Sequence, residues 1–156
     1  MSGFSVANNI TLRSYYATYR AFTTKSTRSS ATTNQLNYAD AQALRRAIQK
    51  LDDFDFENAD KDDISSHVRA FIDTYNYTMD SAKSSTNSYA TSTYKNLKNL
   101  ASKYSTDLGN IGIKENSSGY LTLSSSAVEN ISGSRFESLL NKDSKFMKQL
   151  TTYAKR

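Results

Sequence analysis

Apolar residues recur at three- and four-residue steps along most of the chain after residue 35, which is the spacing of one face of an α-helix. The first such run predicts a helix from about Asn37 to Asp52. Its apolar stripe consists of Leu36, Ala39, Ala43, Leu44, Ala47, Ile48 and Leu51. A stripe of this width predicts that the helix packs one face against another element.

A second run begins near Asp62 and keeps one heptad frame as far as Leu108. The middle of this run, residues 83–88, is polar, so the pattern fits either one long helix or two helices broken near residue 85. We call its central apolar members the seam residues: Val68, Phe71, Tyr75, Leu97, Leu100 and Tyr104. Such a seam must be buried, either within a bundle of the same chain or between copies of it.

The period changes to alternation after Leu108 and predicts a β-hairpin at about 110–123, with Asn116–Gly119 as the turn. Two capping-box patterns follow, Ser126 with Glu129 and Ser134 with Glu137, and each predicts the start of a short helix. The residues expected to close the core beneath the hairpin are Val128, Ile131, Phe136, Leu139, Leu140, Phe146, Met147 and Leu150.

The first 34 residues are rich in Ser, Thr and Asn, and their only helical spacing is that of Leu12, Tyr16, Tyr19 and Phe22. We therefore divide the chain into a Ser/Thr-rich extension, 1–34, with at most one short helix, and a helical domain, 35–156. The extension has three interpretations. It is a peripheral helix whose aromatic side chains pack on the domain, an organelle transit peptide, or the disordered, secretion-competent start of an exported protein.

Charge is unevenly distributed around a net value of +5. The first 39 residues contain no acid, whereas residues 52–63 contain seven acids and one base. That density raises the possibility of a calcium loop, but a helix–loop–helix calcium site needs a turn glycine, and no glycine occurs between Gly3 and Gly109. We instead expect Asp60, Asp62 and Asp63 to stabilise the N-terminus of the next helix.

The sequence offers few parts for catalysis. His67 is the only histidine, cysteine is absent, and no glycine-rich loop precedes a helix. We therefore predict no enzyme activity, no cofactor and no metal site. No nucleic-acid motif accompanies the basic residues, so no nucleic-acid partner is expected. No apolar run approaches the roughly 18 residues of a membrane span, and no segment has the pattern of a cleaved secretory signal.

Several segments follow one another as in the C-terminal half of the flagellar hook-associated protein 2 family, which forms the filament cap. They are Phe71–Asn76, Leu108–Ile113, Gly119–Leu123 and a tail from Phe136 to Leu150. The residues that carry this resemblance are Tyr75, Asn76, Ile111, Gly112, Ile113, Gly119, Leu121 and Leu123. The resemblance implies an oligomeric protein whose partners are copies of itself or other flagellar components. It also implies a place in the extracellular flagellum after export without a cleaved signal, or otherwise in the cytoplasm.

Together these patterns predict a mainly α fold. We expect a long antiparallel helical hairpin or coiled-coil-like bundle, a small β-hairpin and short C-terminal helices. The expected function is that of a non-enzymatic structural or assembly protein. Two alternatives are a small cytoplasmic helical adaptor or chaperone-like binding module, and a surface adhesin that binds through its tyrosine-rich faces.

Overall fold

The computed structural model describes residues 9–154 and confirms the predicted fold class. Long helices pack in pairs, and a two-stranded antiparallel hairpin and short C-terminal helices complete the fold. The elements are α1 (Asn9–Tyr16), a 3₁₀-helix (Ala17–Thr23), α2 (Lys25–Ser30), α3 (Thr33–Asp53), α4 (Lys61–Lys83), α5 (Ser88–Lys103), α6 (Ser105–Asn110), β1 (Ile113–Glu115), β2 (Leu121–Leu123), α7 (Ser125–Asn130), α8 (Gly133–Leu140) and α9 (Lys145–Tyr153).

The antiparallel pair α3 and α4 forms the centre of the fold. Helix α3 begins with a capping box that the sequence analysis did not find, in which Thr32 and Gln35 satisfy each other's backbone amides. Helix α4 begins after Asp60, whose Oδ1 accepts a hydrogen bond from the Asp63 amide at 2.8 Å. The prediction that acids stabilise the start of this helix is therefore confirmed, since Asp62 and Asp63 lie in its first turn.

The heptad frame is divided between two helices rather than carried by one rod. Helix α4 ends at Lys83, and α5 starts after Asn87, whose Oδ1 accepts from the Tyr89 amide at 2.8 Å. The polar residues between them form the turn that folds α5 back along α4. The Tyr75 hydroxyl donates to the Leu97 carbonyl at 2.8 Å and joins the two helices.

The predicted hairpin is confirmed, with Ile113 opposite Leu123 and Glu115 opposite Leu121. Asn116 organises its turn, because its Oδ1 accepts from the amides of Ser118 and Tyr120 at 2.9 and 3.0 Å. Ile113 and Leu121 face the core and are buried.

The predicted capping boxes are wrong, although the helices exist. Helix α7 follows Ser124 and α8 follows Ser132, and neither serine side chain caps its helix. Ser126 and Ser134 lie within the first turns instead. Their hydroxyls are within hydrogen-bond distance of the hydroxyls of Ser124 and Ser132, respectively. The N-cap residues, which have an extended backbone, are Ser124 and Ser132, two residues earlier than predicted. More than one serine near each helix start has a side chain that could serve as the N-cap, so the sequence pattern alone did not identify the right one.

A third C-terminal helix, α9, begins after Ser144, whose Oγ accepts from the Met147 amide at 3.0 Å. Six of the residues expected to close the core are buried in the structure: Val128, Phe136, Leu140, Phe146, Met147 and Leu150. Ile131 and Leu139 are half-buried and pack against the same core.

Residues 9–31, which we call the N-terminal arm, contain more helix than the one short helix that the sequence indicated. The arm packs on α3 and α4, and its Leu12, Tyr15 and Tyr16 are almost completely buried. Tyr19 and Phe22 are half-buried against the core. The described part of the arm therefore belongs to the core of the domain.

Candidate functional site

The residues that carry the family resemblance meet where α4 contacts the hairpin. Asn76 Nδ2 donates to the Leu121 carbonyl at 2.9 Å, and the Leu121 amide donates to Asn76 Oδ1 at 2.9 Å. One side-chain amide thus satisfies both backbone groups of a strand residue, as a neighbouring strand would. The adjacent Tyr75 is fully buried, and burial raises the pKa of its hydroxyl, which stays protonated as a donor.

Two glycines let the chain pass close to its neighbours at this point. Gly112 has φ of +80°, and a Cβ placed there would lie 2.0 Å from the Cβ of Ala127. Gly119 has φ of +89°, and its added Cβ would lie 2.8 Å from Lys98 Cγ on α5. Both positions therefore require glycine for conformation and for space. We call Tyr75, Asn76, Gly112, Gly119 and Leu121 the motif junction.

The remaining motif residues belong to the same region. Ile111 and Ile113 are buried, and Leu123 is half-buried against the core. The structure thus brings together in space residues that are 45 positions apart in the Asn76–Leu121 pair.

The seam residues lie inside the single chain. Val68, Phe71, Tyr75, Leu97 and Leu100 are buried among the other helices. Tyr104 is half-buried, with its ring 5.6 Å from that of Phe146 and its hydroxyl accepting from Gln149 Nε2 at 2.9 Å. Contact between copies would therefore have to use other surfaces.

A buried polar cluster that the sequence analysis missed fastens the N-terminal arm to α3 and α4. Arg28 forms two hydrogen bonds to Asp40, each 2.8 Å long, and the Tyr16 hydroxyl donates to Asp40 Oδ1 at 2.6 Å. The Arg28 guanidinium lies over the Tyr77 ring, 3.7 Å from its centroid. Such a bidentate, stacked arrangement is specific to arginine.

The protonation states in this cluster follow from its burial. Burial raises the pKa of Tyr16, and the negative charge of Asp40 raises it further, so its hydroxyl remains a donor. Burial alone would lower the pKa of Arg28, but the hydrogen bond and charge of Asp40 outweigh that effect and raise it. Asp40 has no solvent exposure, and Arg28 and Tyr16 supply the hydrogen bonds to its buried carboxylate.

Two polar atoms near this cluster have no hydrogen-bond partner among the described residues: the Tyr15 hydroxyl and Asp73 Oδ2. Asp73 lies on the face of α4 that also carries Ser66 and Tyr77, and both of these contact α1. Burial raises the pKa of Asp73 to about 8, and the charge of Arg69 opposes that rise. At neutral pH the Asp73 carboxyl is therefore largely protonated.

A cleft of about 250 Å³ lies between α3, the end of α4, the start of α5 and the end of α9. Its lining consists of Asn34, Asn37, Tyr38, Ala41, Leu44, Thr78, Ala82, Asn87, Tyr89, Ala90, Thr93, Tyr153 and Ala154, none of which is charged. Tyr38 and Tyr89 are 55% and 63% exposed. Aromatic enrichment and depletion of charge are typical of the centres of protein–protein interfaces.

His67 packs instead of forming part of a site, with its ring 3.9 Å from the ring of Phe54. Between residues 9 and 154, no three His, Asp or Glu side chains are grouped as a metal ion would require. No helix in that range has both the length and the apolar character of a membrane span. No protein-family model, curated protein or solved structure matches the chain.

Proposed function

We propose that this chain is a non-enzymatic structural protein that acts in assembly through protein–protein contacts, and that it is related to the flagellar filament cap. The motif junction is the observation that supports this proposal most strongly. A chance resemblance in linear order gives no reason for Asn76 to pair with Leu121, or for both motif glycines to lie at close approaches.

The junction also suggests how such a protein would work. Asn76 fixes β2 to α4, and the β1–β2 pairing fixes β1 in turn. Lys114 and Thr122 are opposite each other in this pairing, and both are exposed. The outer face of the hairpin is thus held in a fixed position and is available to a partner, which lowers the entropic cost of binding.

Binding to purified flagellin and hook–filament junction proteins from the same organism tests the cap relationship. The full chain should bind at least one of them, and the double variant Lys114→Glu, Thr122→Arg should bind more weakly. Lys148→Glu, an exposed change on α9, is the matched control and should bind as wild type. Absence of binding to every flagellar component would contradict the cap relationship.

Deletion of residues 1–8 is a better test of export than deletion of the whole extension, residues 1–34. Deletion of residues 1–34 would remove Leu12, Tyr15, Tyr16 and Arg28 from their buried contacts, so loss of secretion could simply reflect misfolding. Deletion of residues 1–8 leaves these contacts in place. If residues 1–8 act as an export signal, this deletion should abolish secretion. The thermal unfolding midpoint of the deletion variant, measured alongside, separates loss of an export signal from loss of stability.

The tyrosine-lined cleft favours a second candidate, an adaptor that binds a partner segment in this cleft. Thr93→Arg would place a charge at the cleft wall and should block such binding. An adaptor would lose its partner in Thr93→Arg and keep it in the hairpin double variant. A cap-like protein that binds through the hairpin would show the reverse.

A further inference from the structure

The N-terminal arm presents a basic, acid-free surface. Arg13, Arg20 and Lys25 are exposed, and no acidic residue occurs before Asp40. A shallow depression of about 580 Å³ on the arm is lined by Ile10, Arg13, Ser14, Ala17 and Arg20. Ile10 is 80% exposed and gives this depression an apolar side chain. We call this surface the basic depression.

The connection between α3 and α4 presents the opposite charge. Residues 52–63, which we call the acidic knuckle, include the exposed residues Asp53, Asp55, Glu57, Asp60, Asp62 and Asp63. The knuckle is anchored by Phe56, which is fully buried and stacks on Phe136 at 6.3 Å. Asp55 shapes its turn by accepting from Asn58 Nδ2 at 2.7 Å. Its charges are thus carried on an ordered projection.

No salt bridge between described residues involves Arg20, Lys25 or an exposed acid of the knuckle. The ion pairs between residues 9 and 154 are Arg28–Asp40 and Lys142–Asp52. Arg20 and Lys25 therefore have no acidic partner within 9–154, and neither do the six exposed acids of the knuckle. Like charges within each surface repel one another, and binding of a molecule of opposite charge would relieve that repulsion.

We propose that the basic depression of one molecule binds the acidic knuckle of a second copy of this chain. The contact is heterologous, because different surfaces of the two copies meet, so repetition builds a ring or an open chain. The charges steer the encounter, and Ile10 and the half-buried Phe54 contribute apolar area at the contact. This inference rests on the proposed assembly function and adds to it a contact between copies that is separate from the outer face of the hairpin.

Light scattering during size-exclusion chromatography measures the mass of the protein at about 50 mM and about 500 mM salt. Salt screens the attraction between the two charged surfaces, so the contact should weaken at the higher concentration. We expect wild type to self-associate at low salt and to dissociate at high salt. The base-reversed variant Arg20→Glu, Lys25→Glu and the acid-reversed variant Asp53→Lys, Glu57→Lys should each be monomeric. These four residues are exposed, and no side-chain hydrogen bond to a described residue depends on them.

The decisive step is to mix the two reversed variants. Their surfaces are again complementary in the mixture, although both variants keep a positive net charge, so association should return to within about tenfold of wild type. The matched controls reverse equal numbers of charges elsewhere. They are Lys95→Glu, Lys148→Glu for the first variant and Glu129→Lys, Glu137→Lys for the second, and both should associate as wild type.

A wild type that stays monomeric at low salt overturns the inference. So does self-association that survives both reversals, or a loss that the controls share. An acidic segment of another protein that binds the depression while wild type stays monomeric also overturns it. In each of these cases, retained binding to flagellar components would leave the proposed function standing.

Discussion

The N-terminal arm and the β-hairpin are both fastened to the central pair of α3 and α4, but by different chemistry. The arm is held by the charged and hydroxyl groups of Arg28, Asp40 and Tyr16. The hairpin is held by the neutral amide of Asn76, which pairs both backbone groups of Leu121. Burial of an ion pair costs desolvation free energy, and loss of one partner leaves the other charge buried without compensation. Hydrogen bonds between neutral amide groups bury no charge, so they carry no such cost.

The two regions also differ in strain. The hairpin region uses glycine at its two left-handed positions, Gly112 and Gly119, whereas the arm places Ala17 at φ of +51°. The two buried polar atoms without partners, on Tyr15 and Asp73, also lie in or beneath the arm. We therefore expect the arm to open at a lower free-energy cost than the hairpin region.

The largest expected effect comes from breaking the arm cluster. Asp40→Ala leaves the Arg28 charge and the Tyr16 hydroxyl buried without their partner, which should lower the free energy of unfolding by about 3–5 kcal/mol. Urea denaturation measures the loss, and limited proteolysis should cut the arm first. Asp143→Ala, an exposed aspartate, is the control. Equal stability of Asp40→Ala and wild type would refute the role of the cluster.

Asp73 makes stability depend on pH. Its folded pKa of about 8 lies above the ordinary value of 3.8, so the contribution is fully present below about pH 4 and is lost as pH rises to about 8. Asp73→Asn should remove this slope and be more stable than wild type by a few kcal/mol at pH 8, since one pKa unit corresponds to about 1.4 kcal/mol.

Urea denaturation at pH 5, 6, 7 and 8 checks this expectation for Asp73→Asn, with Asp107→Asn as the exposed control. The difference between Asp73→Asn and wild type should widen with pH. Parallel pH profiles would show that the Asp73 carboxyl titrates normally in the folded protein.

Asn76→Ala tests the hairpin side. It removes two hydrogen bonds and leaves the amide and carbonyl of Leu121 without partners, which should cost about 2 kcal/mol. Hydrogen exchange of the Leu121 amide should accelerate. Asn76→Asp keeps the acceptor but places a carboxylate oxygen against the Leu121 carbonyl oxygen, so its loss should be at least as large. Asn99→Ala on the exposed face of α5 is the control, and an unchanged exchange rate in Asn76→Ala would refute the pairing.

The smallest expected effects come from substitutions at two residues in the left-handed conformation, one in the arm and one in the hairpin region. Ala17→Gly should stabilise the protein by up to about 1 kcal/mol, because glycine adopts the left-handed conformation without a Cβ clash. Gly112→Ala should destabilise the protein by about 1–2 kcal/mol. The alanine would have to adopt the left-handed conformation, and its Cβ would clash with the side chain of Ala127. Thermal unfolding midpoints measure both. The contrast between arm and hairpin fails if the two changes have the same sign.

Much of the fold could be predicted because its signals are local. The stripe from Leu36 to Leu51 predicted α3, and the change from helical to alternating period at Leu108 predicted the hairpin. The polar segment near residue 85 correctly indicated a possible break in the helix. The spacing of apolar residues alone, however, could not distinguish one long helix from two helices joined by a turn. The starts of α7 and α8 were predicted two residues too late, because more than one serine near each start could act as the N-cap.

The arm cluster could not be predicted, because its hydrogen bonds to Asp40 join residues that are 12 to 24 positions apart and have no periodic relation. One signal was nevertheless present. Asp40 interrupts the apolar stripe of α3 between Ala39 and Ala43, and a buried carboxylate on such a face requires a cation or donors. Asp73 was overlooked because a single seam describes one face of α4, whereas this helix is buried on several.

We propose that this chain assembles through protein–protein contacts outside its internal seam. Light scattering during size-exclusion chromatography of the full chain, alone and with flagellar components, tests it most directly. We predict complexes of higher mass than the 17.4 kDa monomer. A monomer at every concentration and salt level, with no binding to any flagellar component, would contradict the account.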